Sequence, residues 1–141
     1  MKYTQKGLGI LEIMIVMIIM VILAALSYPR YDAHVKRSKR IEGQALLADV
    51  AARQARYFSQ NNSYITDSTE LINLYGHQLA AHSSYNGHYI LHLESGQADD
   101  GGYALTAIQQ FADSTCGNLT LNALGVKGHT GPTYDAEQCW R

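Results

Sequence analysis

Three patterns of apolar and polar residues succeed one another along this chain. The first is almost unbroken: fourteen consecutive apolar residues run from Ile13 to Leu26, and between Leu8 and Leu26 only Gly9 and Glu12 interrupt. Wound as a helix at about 1.5 Å per residue, that stretch spans roughly 28 Å, close to the hydrocarbon thickness of a bilayer. The second pattern, RYDAHVKRSKRIEGQALLADVAARQARYFSQNN, has a helical period with Leu47, Val50, Ala51, Ala55 and Phe58 on one face. Pro29 stands between the two, where it removes a backbone donor and kinks a helix that continues through it. The Asn61-Asn62 pair is the expected stop. A helix from Leu8 to Phe58 would reach roughly 75 Å, a spine rather than a core element.

Residues 60–86 show no sustained period and read as a loop with short helical or extended pieces. The period then becomes two. In HYILHLE, Tyr89, Leu91 and Leu93 share one face while His88, His92 and Glu94 fall on the other, the pattern of a half-buried strand. SGQADDGG turns the chain, and the alternation returns with Tyr103, Leu105 and Ala107 in the stretch ending at Gln109. Leu119-Thr120-Leu121 is a third strand and Gly125-Val126-Lys127, after the NALG turn, a fourth. Hairpin-length connections make this sheet antiparallel. The expected fold class is α+β, with a long N-terminal helix whose first half is membrane-spanning and whose second half packs on a small antiparallel sheet.

Length and composition bound this picture without changing it. The 141 residues allow one ordinary domain, and 47% apolar with 16% charged residues exclude a disordered chain. Charge adds an asymmetry. Arg30, Lys36, Arg37, Lys39 and Arg40 face a single acid, Asp32, whereas from Ile41 onward ten acids stand against Arg53, Arg56, Lys127 and Arg141, a balance of −6. So acidic a body is a poor general binder of phosphate backbones, and nucleic acid is not an expected partner. The basic belt reads as a solvated or partner-facing helix surface.

Cys116 and Cys139 fit neither a zinc pair nor a C-x-x-C redox motif. In an exported body they would form a structural disulfide, stabilising by on the order of 3 kcal/mol in the chain-entropy model. His88 and His92 share a strand face about 13 Å apart and cannot chelate one ion together, and Asp99-Asp100 is ordinary turn chemistry. No G-x-S-x-G, H-E-x-x-H or phosphate-loop pattern occurs. No catalytic residue, metal or cofactor is assigned.

The N-terminus carries the strongest signal. As a plain secretory signal, Lys2 and Lys6 would form the basic region and Ala25-Leu26-Ser27 a site cut after Ser27. Glu12 is what that reading leaves unexplained, since an acid at the centre of a membrane helix costs roughly 2.5 to 3.5 kcal/mol, less near its end. Lys6-Gly7-Leu8-Gly9-Ile10-Leu11-Glu12 followed by the apolar run resembles the class III signal of type IV pilins and type II secretion pseudopilins. The resemblance implies that a prepilin peptidase cuts between Gly7 and Leu8, that Leu8 becomes the methylated N-terminus, and that Glu12 is the assembly carboxylate, pairing with the N-terminus of a neighbouring subunit. Leu8 stands where phenylalanine is commoner, and Gly9 where threonine is. YPRY, VKRSKRIEGQ, ARQARYFSQNNSY, LTLNALGVK and the terminal Cys139-Trp140 extend the resemblance to the type IVa, PilE-like minor pilins. It implies that Cys116 and Cys139 bracket a disulfide-bound D-region.

The expected organisation is therefore a leader over residues 1–7, a transmembrane and filament-core helix over 8–28, the amphipathic half of the helix over 29–60, and a globular head over 61–141. The implied partners are other pilins, major and minor, through the N-terminal helices, together with the prepilin peptidase, the inner-membrane assembly platform and, before assembly, the membrane. The implied location is a single pass through the inner membrane with a periplasmic head, then the extracellular pilus. Lys2 and Lys6 favour a cytoplasmic N-terminus, although the five basic residues past the span count against it. The implied function is that of a minor pilin serving pilus biogenesis, twitching motility, adhesion or DNA uptake. The alternatives are a type II secretion pseudopilin, which usually lacks a disulfide loop ending in Cys-Trp, and an exported binding protein cut after Ser27.

Overall fold

The apolar run and the helical stretch after it belong to one element, α1, Ile10–Asn61. The computed structural model describes residues 9–75 and 82–141, the side chains of 26–30 excepted. Gly7 and Leu8 lie outside the described residues, as does the side chain of Pro29, to which the kink is assigned. The chain divides into two compact units between Lys36 and Arg37.

In the first unit every described side chain of residues 10–25 is exposed. A run of Ile, Leu, Met and Val whose described side chains are all exposed builds no buried core among the described residues. Among the described residues no helix is long and apolar enough to cross a membrane. The described apolar stretch, residues 10–25, is shorter than the ~20 residues that a span takes.

In the second unit α1 buries Arg40, Gly43, Leu47, Val50 and Gln54, alternate steps of three and four along one stripe. Leu47 and Val50 stand where the sequence pattern put them. Ala55 and Phe58 do not: Ala55 is exposed, and Phe58 keeps 38% of its surface while stacking on Tyr64 at 4.4 Å. The stripe is rotated toward Gln54, whose amide reaches the incoming loop by donating to the Ile65 carbonyl at 2.6 Å and accepting from the Ile65 N–H at 3.1 Å. A buried amide that satisfies both backbone groups of one residue is worth more at that position than a small apolar one. The helix stops at the expected place, with Asn62 in the left-handed region at φ 54° and its N–H donating to the Phe58 carbonyl.

The loop from Asn62 carries a 3₁₀ turn, Ser68–Leu71, capped by the Asp67 carboxylate, and a single helical turn, α2, Ile72–Tyr75. The sheet follows in sequence order: β1 Tyr89–Ser95, β2 Tyr103–Gln109, β3 Leu119–Asn122 and β4 Lys127–His129, all antiparallel. Leu93 pairs with Leu105 and Leu105 with Leu121, so one face carries the apolar set of three strands. That face, with Leu47, Val50, Ile65 and Leu71, makes the core of the head. The fourth strand begins two residues later than its expected start at Gly125. The cause is Asn122, whose side-chain oxygen accepts from the N–H groups of Leu124 and Val126 and so commits Ala123–Val126 to the turn, with Gly125 at φ 79°. A last helical turn, α3, Ala136–Cys139, ends in the disulfide between Cys139 and Cys116, with Cα atoms 5.7 Å apart.

Candidate assembly site

The segment Arg40-Ile41-Glu42-Gly43-Gln44 organises the head, because four of its five residues meet three distant segments, around Asp113, around Asn86–Tyr89 and at Cys139. Arg40 donates from Nε and Nη2 to the two carboxylate oxygens of Asp113, at 2.6 and 2.8 Å, and from Nη2 to the Thr115 hydroxyl. Both partners are buried, Asp113 completely. Burial pushes the Asp113 carboxyl up, but hydrogen bonds from Arg40 and Thr115 outweigh it and hold the group at about 2. The same hydrogen bond raises the Arg40 guanidinium, against the effect of burial.

Glu42 accepts from the backbone N–H of Asn86 at 2.6 Å and from its side-chain amide at 3.1 Å, and meets His88 Nδ1 at 2.7 Å. Burial raises its carboxyl, yet bonds to Ser84, His88 and Asn86 bring it down to about 2. Gly43 packs against the face of Tyr89, and a Cβ there would lie 2.9 Å from the ring, so only glycine fits. Gln44 donates to the Cys139 carbonyl at 3.1 Å, tying the disulfide loop to α1. Trp140 donates from its indole to the Gly128 carbonyl at 2.8 Å, which holds it against β4.

The basic belt is therefore not one solvated face. Arg40 is a buried bidentate anchor, Lys36 pairs with Asp32 at 2.8 Å, and Lys39 lies 4.7 Å over the Phe111 ring. The signal that would have separated Arg40 from its neighbours is its register: with Gly43 and Gln54 it falls on the Leu47–Val50 stripe.

In the N-terminal unit, Glu12 lies beside Ile13, Val16 and Met17 around a shallow hollow of about 300 Å³. A carboxylate among exposed aliphatic side chains is a group whose favourable surroundings come from outside the chain. The expected disulfide pair, Cys116 with Cys139, is joined as described above. Among the described residues no three of His, Cys, Asp and Glu come together as a metal site; His88 meets Glu42, and His92 lies 3.9 Å from Glu94.

The family described as "Type IV minor pilin ComP, DNA uptake sequence receptor" matches residues 29–120. The chain belongs to this type IV minor pilin family. The matched segment contains the Arg40–Gln44 anchors, the whole of β1 and β2 and the Asp113–Cys116 turn, so the Arg40–Asp113 and Glu42–Asn86–His88 clamps lie inside the shared part of the pilin. It leaves out residues 1–28 and Cys139. The family is one of pilus subunits, a structural class, and a minor pilin associates with other pilins in the pilus. No curated protein and no solved structure matches the chain.

Proposed function

We propose that this minor pilin is cut between Gly7 and Leu8 by a prepilin peptidase and methylated on Leu8. It then waits in the inner membrane with residues 8–28 in the bilayer and its head in the periplasm. The assembly platform draws it into the filament, where its N-terminal helix joins those of other pilins. Glu12 meets the Leu8 ammonium of a neighbour, a pair that is strong in a water-free helix bundle and sets the register of one subunit on the next. Pro29 bends the helix between its lipid-facing and head-facing parts. The observation that carries this reading is the exposed apolar face of residues 10–25 with one carboxylate in it.

N-terminal mass spectrometry of the mature protein tests it. A chain beginning at methylated Leu8 is the expected result, and one beginning at Tyr28 sinks the reading in favour of an ordinary exported protein. Loss of the protein should abolish or thin surface pili; intact pili with blocked secretion would point instead to a pseudopilin. The description of the matched family favours a second reading, service in DNA uptake. The acidic balance of the head weighs against general phosphate binding, so DNA contact here would require a local cationic site. Binding of duplex DNA that weakens steeply with salt would support the second reading.

A further inference from the structure

On the head, the last turns of α1 and the α2 turn enclose a recess of about 150 Å³ lined by Arg53, Arg56, Tyr57, Gln60, Asn73 and Leu74. Two guanidiniums, two amides and a phenol border it, and none of these lining residues is an acid. Arg53 is fixed in place. Its Nε donates to Asp49 at 2.9 Å, its guanidinium lies 4.3 Å from the Tyr75 ring centroid, and Tyr75 in turn shares the Asp49 carboxylate. Arg56, one turn on, is exposed and has no carboxylate within ion-pair distance among the described residues. The two cations thus border a small polar recess on a head whose overall balance is negative.

We propose that this recess is a carboxylate receptor for an acidic side chain of a neighbouring subunit in the filament. The inference rests on the filament-subunit reading above. A planar guanidinium donates in a fork that matches a carboxylate, and the amides of Gln60 and Asn73 supply neutral donors at the rim. The size of the recess suits one side-chain tip. A nucleic-acid backbone, by contrast, is held by a longer stripe of cations than the two that border this recess. An acid on a surface loop has the required form, as Asp99 in the exposed GQADDGG turn of this chain illustrates.

The test places a photoreactive residue at Asn73, on the rim, in cells making the full chain, and compares Arg56→Glu and Arg56→Lys for the amount of this pilin in sheared filaments. The expected results are a cross-link to another pilin, a loss of about tenfold or more with Arg56→Glu, and retention of most incorporation with Arg56→Lys. Arg56 is exposed, so its substitution leaves the fold intact, which non-reducing migration and circular dichroism of the full chain check. Incorporation of Arg56→Glu at the wild-type level overturns the proposal, as does a filament cross-link that stays within the chain. A cross-link to DNA overturns it in favour of phosphate recognition. If the unmodified pilin itself is missing from filaments, the subunit reading fails and takes the proposal with it, a result distinct from a defect confined to Arg56→Glu.

Discussion

The two parts of α1 treat polar residues in opposite ways. Beyond Arg37, the polar members of the buried stripe each have a partner within the chain: Arg40 has Asp113, and Gln54 has the backbone of Ile65. Before Lys36 the situation reverses, with Glu12 set among aliphatic side chains that are all exposed. A buried polar group is tolerated in the head because the fold supplies its counterpart. The N-terminal part exposes both its apolar side chains and its carboxylate. One helix therefore carries a packed stripe and an exposed apolar stretch, and substitutions should separate them.

The sharpest separation comes from Asp113→Ala. It leaves the Arg40 guanidinium buried without its counter-charge, at an expected loss of about 3–5 kcal/mol, a large share of a domain's typical 5–15 kcal/mol. Denaturant unfolding of the full chain in detergent, followed through Trp140, measures it. Joining Arg40→Met to Asp113→Leu removes both charges and should recover most of the loss. A single substitution costing under about 1 kcal/mol would mean that the pair does not tie α1 to the Asp113–Cys116 turn. Next in size is the Cys116–Cys139 bridge. Replacing both cysteines by serine should lower stability by about 3 kcal/mol, while helix association through residues 10–25 in detergent stays unchanged. Loss of that association would contradict the division into two units.

Acid should destabilise the head. In the folded chain Glu42 sits at about 2 against an ordinary 4.5, and Asp113 at about 2 against 3.8. Both groups are depressed by folding, so their contribution is complete above their unfolded values and disappears as the pH falls through about 2. Unfolding free energy should therefore be flat above about pH 5 with respect to these groups and decline below it, and Glu42→Gln should shrink the slope. An acid dependence unaltered by both Glu42→Gln and Asp113→Asn would remove this account.

Much of this was open to reading from the sequence, and the failures share one cause. Tyr89, Leu91, Leu93, Tyr103, Leu105 and Ala107 announced two strands through strict alternation, and Asn61-Asn62 marked the helix stop, since both are local effects. The start of β4 was misplaced because Asn122 uses its side chain to hold a longer turn. Arg40 looked like one more member of a basic surface because its partner, Asp113, lies 73 positions away. Separations of 44, 46 and 95 positions likewise hid Glu42 and Gln44, whose partners are at Asn86, His88 and Cys139. Polar anchors with distant partners leave only a faint trace in one sequence, a charged or amide residue in register with an apolar stripe.

The smallest effect on stability and the clearest on assembly belongs to Glu12→Ala. The residue lies outside the unit that holds the head, and its own side chain is exposed, so head unfolding should change by less than about 0.5 kcal/mol. Removing the acid also makes the apolar run more uniform, which favours insertion in a bilayer. Cleavage, read as the size shift on removing residues 1–7, should continue. What should fail is incorporation, because the variant no longer offers a negative group to the N-terminus of its neighbour inside a bundle where water cannot replace it. Glu12→Asp, which keeps the charge on a shorter arm, should restore part of it. Filaments carrying Glu12→Ala at the wild-type level would show that the apolar surface suffices for assembly, and the contrast between the two parts of α1 would then rest on hydrophobic exposure alone.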